Sequence, residues 1–203
     1  MHVKGSFNEA LFYEFIDHTK RVIKESNIPF ELYFDHAQEG SFGVKLAKAV
    51  SLVFDKGFQK VIVIGNDCPG LTSNILQSAK RNLENNDLVI GPDRRGGVYL
   101  LGISKNIFRE NIFAELPWQQ ANLFSLIKLK TLDIGISFVQ LKTLTDVNFE
   151  KDLLSILNEV RPLNKLHLLI KSLVLIFYNQ VTYQFQFSRE QFVSGLRAPP
   201  VLS

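Results

Sequence analysis

The chain has 203 residues, 46% hydrophobic and 21% charged, a globular composition that excludes a disordered or fibrous protein. Its net charge of +3 lacks the concentrated basic excess of a nucleic-acid binder, so no nucleic-acid partner is expected. A single cysteine excludes an internal disulfide, and with four scattered histidines it gives no zinc-ligand spacing.

The spacing of Leu11, Phe12, Phe15, Ile16, Val22 and Ile23 predicts a first helix, with Ser6 and Glu9 as a capping box and Pro29 closing the unit. Phe30 to Phe34 alternates as a short strand. A second helix is expected from about Phe42 to Lys56, stopped by Gly57. The β-branched run Val61-Ile62-Val63-Ile64 suits a central strand buried on both faces. Thr72 or Ser73 caps a third helix, and Leu88 to Ile90 and Val98 to Ile103 read as strands.

Asn106 to Leu116 reads as a short irregular helix and Ala121 to Leu132 as a regular one that stops at Gly135. Ser137 to Leu141 is a strand, and Asn148 caps a helix reaching Val160. Strands alternating with helices give an α/β fold, a three-layer α/β/α arrangement with a mostly parallel sheet. Residues 1–160 form this domain. Residues 161–203 read as an appendage: an apolar helix from Leu163 to Asn179, an alternating strand from Val181 to Phe187, and a tail. The apolar stretch near Leu166 to Tyr178 is broken by His167 and Lys171 and is shorter than the roughly 20 residues a bilayer crossing needs. No signal-peptide core follows Lys4, so a cytoplasmic chain is expected.

In an open parallel sheet, ligands bind beyond the carboxyl ends of the strands. Three polar segments sit at such ends: Gly65 to Pro69, Gly91 to Gly97 and Thr145 to Asn148. Asp67 and Asp146 suit a Mg²⁺ ion shared with a diphosphate, and they equally suit turns and caps. The pair Gly96-Gly97 admits a close ligand or makes a tight turn. Trp118 stacks on a sugar or packs in the core. Cys68 reads as a small buried residue, and His18 and His36 have no evident partners.

Gln38 to Gly43, Ile64-Gly65-Asn66-Asp67-Cys68-Pro69, Gly91-Pro92 through Gly96-Gly97-Val98-Tyr99 to Gly102, Leu116-Pro117-Trp118 and Asp146-Val147-Asn148 through Leu153 form an ordered series. In that order they resemble an uncharacterised bacterial glycosyltransferase-like family with the GT-A, nucleotide-diphospho-sugar transferase fold, over roughly Ser6 to Leu157. The resemblance implies a nucleotide-sugar or nucleotide substrate, with Mg²⁺ or Mn²⁺ held by Asp67 and Asp146 as catalytic residues. It implies substrate binding by Gln38, Asn66, Arg95, Gly96, Gly97, Tyr99 and Trp118. A nucleotidyltransferase of the same fold and a non-catalytic binding protein remain open alternatives.

Three positions depart from the family. The opening strand and basic loop are missing before the first helix. Arg95 stands where an aspartate precedes the glycine pair, and Asn148 replaces the last carboxylate of an Asp-X-Asp motif. A neutral amide is the poorer ligand for a hard cation. Either residues upstream in a longer natural chain supply that strand, or the sheet closes up without it, with Val181 to Phe187 at an edge; nucleotide binding by this 203-residue form is expected to be impaired.

Overall fold

The computed structural model describes residues 5–33, 39–147, 152–157, 160 and 165–175. Chain order gives α1 (Gly5–Ser26), α2 (Phe42–Asp55), β1 (Lys60–Ile64), α3 (Ser73–Asn85), β2 (Leu88–Pro92), β3 (Val98–Ser104), α4 (Glu110–Ala114), α5 (Leu123–Asp133), β4 (Phe138–Gln140) and α6 (Asp152–Ile156). A further helix, α7, covers 165–175.

Local chemistry explains the helix ends. The Ser41 hydroxyl accepts the Val44 N–H at the start of α2, and Thr72 accepts the Ile75 N–H at 3.3 Å to open α3. Gly57, at φ +97°, terminates α2 in the left-handed region as expected. α1 begins at Gly5, so Ser6 lies inside the helix rather than ahead of it.

The sheet order is β1-β3-β2-β4. β1, β2 and β4 share one direction, as a mostly parallel sheet requires. β3 runs against them and pairs antiparallel with both β1 and β2, while β2 and β4 pair in parallel. The reversal follows from the short connection. Only residues 93–97 join β2 to β3, enough for a hairpin and far too few for a crossover.

Strand side chains alternate between two layers. Ile62, Ile64, Val89 and Leu100 meet Val22 and Ile23 of α1 and Leu76, Ala79 and Leu83 of α3. Val61, Val63, Leu88, Ile90, Leu101 and Ile103 meet Ala47, Val50 and Phe54 of α2, Phe113 of α4 and Ile127 of α5. This is the three-layer α/β/α arrangement. A third cluster joins Leu11 and Phe15 of α1 to α6 and α7 through Leu153, Ile156, Leu166 and Ile170.

Two expectations are corrected. β1 is not central: among the described residues it pairs with β3 alone, and its apolar run stays half-buried although helices cover both faces. Residues 30–33 form no strand, and Phe34 lies outside the described residues. The Asn148 cap and the Val181–Phe187 strand also fall outside them. Among the described residues no helix is long and apolar enough to cross a membrane.

The packing of α2 on α4 depends on Gly43. A Cβ there would overlap the Ala114 carbonyl oxygen and crowd the Trp118 ring at 2.7 Å. Gly43→Ala is expected to cost about 1–3 kcal/mol through overpacking, which lowers Tm by roughly 2–4 °C per kcal/mol in a chain of this size. Calorimetric melts check this, and an unchanged Tm would mean that α4 yields freely.

Candidate functional site

β1, β2 and β4 deliver their carboxyl ends to one end of the sheet, where β3 begins. Three loops therefore meet there: 65–72, 93–97 and 141–147. Backbone bonds stitch them together. Val147 N–H donates to the Asp67 carbonyl at 2.8 Å, Leu144 N–H to Pro92 at 3.2 Å, and Arg94 N–H to Leu144 at 3.0 Å. Side chains add to this. Arg94 Nε donates to Thr145 Oγ1 at 2.9 Å, and the buried Cys68 thiol points to the Thr145 carbonyl at 3.5 Å. Cys68 thus has the packing role expected of it.

The residue that organises the rim is Asp93, which the sequence reading passed over. Its Oδ1 accepts the N–H groups of Arg95 at 2.7 Å and Gly97 at 3.0 Å. Its own N–H donates to the Gly97 carbonyl at 3.1 Å. A side chain at Gly97 would overlap Asp93 Oδ2, and one at Gly96, at φ +88°, would overlap the Ala121 carbonyl. The glycine pair thus builds the tight turn, with both N–H groups turned inward to Asp93. The available signal was an aspartate four residues ahead of a glycine in a connection too short for anything but a turn.

Asp67, Asp93 and Asp146 gather at this end. Asp146 is only 9% exposed, whereas Asp67 remains open to solvent at the loop tip. The Asp67 carboxyl is pushed above the usual carboxylate range, chiefly because protein crowds it and secondarily by the Asp93 charge. Asp146 is pushed the same way by burial first, then by Asp93, with Asp67 adding less and Arg95 opposing. Among the described residues no three His, Cys, Asp or Glu side chains form a cage able to hold a metal ion by themselves. A hard cation that takes its remaining oxygens from phosphate needs only one or two protein carboxylates.

The other expected site residues divide. Asn66 stands beside Asp67, half-buried. Arg95 is committed to Asp152 of α6, its Nη2 lying 2.5 and 2.6 Å from the two carboxylate oxygens. Tyr99 is buried against the face of Gly91 and donates its hydroxyl to the Lys142 carbonyl at 2.9 Å, and burial holds its phenol far above the ordinary range. Trp118 packs edge-on to Phe42 and against Phe113, and its indole N–H donates to the Phe113 carbonyl at 2.8 Å. Tyr99 and Trp118 therefore position backbone and helices. Gln38 and Asn148 lie outside the described residues. His18, read from sequence as partnerless, faces the Leu71 and Pro69 carbonyls beside the first loop. Burial, then Arg21, lower its pKa, and Nε2 has no hydrogen-bond partner among the described residues.

The two raised carboxyls predict a pH signature. A folded-state pKa above the unfolded value near 3.8 gives stability that is complete below that value and is lost as pH rises through the folded pKa. The double variant Asp67→Asn, Asp146→Asn is expected to melt above the unaltered chain near neutral pH, with the difference closing towards about pH 4. Melts across that range check the sign, and a difference independent of pH would show that the acids carry no electrostatic strain.

A family model described as "Uncharacterized protein conserved in bacteria (DUF2064)" matches residues 6–120. A solved structure from Desulfovibrio desulfuricans G20, described as a "putative nucleotide-diphospho-sugar transferase", is similar at TM-score 0.72 and 20% identity, over 84% of this chain and 84% of that one. That likeness establishes the fold. A Mycobacterium tuberculosis rv0371c homologue from Mycobacterium sp. strain JC1 aligns at TM-score 0.41 and 14% identity over 78% of this chain and 72% of that one, too loosely to carry an argument. No curated protein matches the sequence.

Proposed function

The chain belongs to this bacterial family of uncharacterised proteins, DUF2064, and from that premise and the shared fold we propose that it is a glycosyltransferase using a nucleotide-diphospho-sugar donor and a divalent metal. The observation that carries the reading is the convergence of Asp67, Asp93 and Asp146 on loops stitched together at the carboxyl end of the sheet. Ligands of open α/β sheets bind at that end. Burial first, and then the Asp93 charge, push the Asp67 and Asp146 carboxyls above their ordinary range, and this excess of negative potential favours a cation.

Asp67 and Asp146 would hold Mg²⁺ or Mn²⁺, and the metal would supply charge neutralisation for a diphosphate leaving group. Asp67, at the exposed loop tip, reaches the ligand side. Asp146, only 9% exposed, would supply the second carboxylate. Asp93 keeps the 93–97 turn rigid and adds its charge to the site without leaving its two backbone donors. Asn66 borders the donor, and Arg95, braced by Asp152, sets the charge on the far side of the turn.

Arg95 also favours a second reading, a protein that binds nucleotide without turnover. The guanidinium occupies the place where the resembled family has a carboxylate, and it neutralises part of the field a metal would feel.

Thermal shift separates these readings. A ligand at 100 times its Kd stabilises by about 2.7 kcal/mol. That corresponds to roughly 5–10 °C in Tm for a chain of this size. UDP-, GDP- or CDP-sugars with Mn²⁺ are expected to give such a shift, and Asp67→Ala is expected to remove its metal-dependent part. Stabilisation by nucleoside triphosphates but not by sugar nucleotides would transfer the assignment to a nucleotidyltransferase. Binding without sugar transfer to any acceptor tried would support the second reading. No shift with any nucleotide would overturn both.

A further inference from the structure

Arg95 is a cation set among acids. Its backbone N–H donates to Asp93 Oδ1 at 2.7 Å, so that carboxylate lies within the sweep of the Arg95 side chain. Asp146 feels the same guanidinium as a cation opposing the Asp93 and Asp67 charges. An arginine so placed could turn in and neutralise the rim. Instead its Nη2 reaches α6, where it lies 2.5 and 2.6 Å from the two carboxylate oxygens of Asp152.

Burial makes that contact strong. Asp152 is 7% exposed, so its carboxylate has little water to turn to. A buried carboxylate stripped of its cation is costly, and charge-assisted bonds to a planar guanidinium also fix its direction. α6 has its own anchorage, with Leu153 and Ile156 packed against Leu11 and Phe15 of α1. Asp152 therefore pulls on Arg95 from a seat that the 93–97 turn does not share.

Charge counting shows what the pair changes. Asp67, Asp93 and Asp146 together bring three negative charges when ionised, and an unmatched Arg95 turned onto them would cancel one. Beside Asp152, Arg95 has a counter-ion of its own, and the field that the pair sends to the acids is weaker than that of a lone cation. Arg95 stands where the resembled family has a carboxylate, and Asp152 brings one to its side from α6.

We infer that Asp152 is a positioning residue of the acidic site: it sequesters the Arg95 guanidinium on α6 and so keeps Asp67 and Asp146 for a divalent cation. This rests on the cation-binding reading of that site, and what it adds is where Arg95 goes.

Mn²⁺ titrations of the full 203-residue chain, followed by electron paramagnetic resonance, test this as a double-mutant cycle. Asp152→Asn keeps the shape and removes the counter-ion, so Arg95 is expected to turn onto the acids and weaken Mn²⁺ binding by about tenfold. Arg95→Gln is expected to bind Mn²⁺ more tightly than the unaltered chain. With Arg95→Gln in place, Asp152→Asn is expected to change affinity by less than about twofold. Equal weakening by Asp152→Asn in both backgrounds would overturn the inference, because Asp152 would then act only as one more negative charge. Equal or weaker binding by Arg95→Gln would overturn it too, since the pair would then serve only the shape of the turn. That arm decides if Asp152→Asn does not fold. NMR contacts of the Arg95 guanidinium protons separate the inference from the reading beneath it. They are expected to lie on α6 in the unaltered chain and to move to the β-protons of Asp93 or Asp146 in Asp152→Asn. If the unaltered chain binds no Mn²⁺, the metal reading fails and these contacts decide where Arg95 goes. Contacts that leave α6 without reaching either aspartate overturn the inference.

Discussion

The Asp93 carboxylate is the constraint on which the rest of the sheet depends. By accepting the N–H groups of Arg95 and Gly97 on one oxygen, it reverses the chain within residues 93–97. That reversal sends β3 back between β1 and β2, which fixes the order β1-β3-β2-β4. The same turn places Arg94 so that its N–H and Nε reach Leu144 and Thr145, and this ties the loop after β4 to the loop after β2. Without the turn there would be no common rim for Asp67 and Asp146 to share.

The arrangement carries a cost that a purely structural role would not demand. Three carboxylates at one end of a sheet repel one another, and burial disfavours the ionised form of Asp146 in particular. Asp93 recovers part of this by accepting two backbone donors. Arg95 opposes the field at Asp146 while its Nη2 donates to both carboxylate oxygens of Asp152. A fold selected for stability alone would place neutral residues here. Acidity gathered from separate loops is the physical reason to look for a cation and a polyanion at this end of the sheet.

Much of the architecture was legible because hydrophobic periodicity changes visibly from helix to strand. α2, α3 and α5 emerge near their expected bounds, with Thr72 capping α3 as foreseen. The same signal misplaced β1. Val61 to Ile64 reads as a strand buried on both faces, and helices do cover both faces. Whether a strand is central depends on its lateral neighbours, and those are encoded in other segments. The reversal of β3 was written in the shortness of its connection to β2, a feature of length rather than of residue type. At the site, the Arg95–Asp152 pair spans 57 positions and has no local signature. Tyr99 and Trp118 carry polar tips whose partners are backbone carbonyls, so nothing in their sequence surroundings distinguished an anchor from a ligand contact.

The two ends of the sheet now bear different burdens. Where β1, β2 and β4 end, polar groups are crowded and held by short bonds between loops, so that end is chemically specific and geometrically fixed. Along β1, whose ladder partner among the described residues is β3 alone, the side chains are apolar and the register turns the backbone groups of Ile62 and Ile64 away from β3. The two are joined through a single element, because Ile64 leads directly into Gly65 and Asp67. Anything that pairs with Ile62 and Ile64 therefore restrains the base of the loop that carries Asp67. A backbone held on one side only can pivot about its β3 ladder, while one held on both sides cannot. Asp67 lies only three positions beyond Ile64, so the stiffness of the β1 ladder is passed to the loop within one turn of chain.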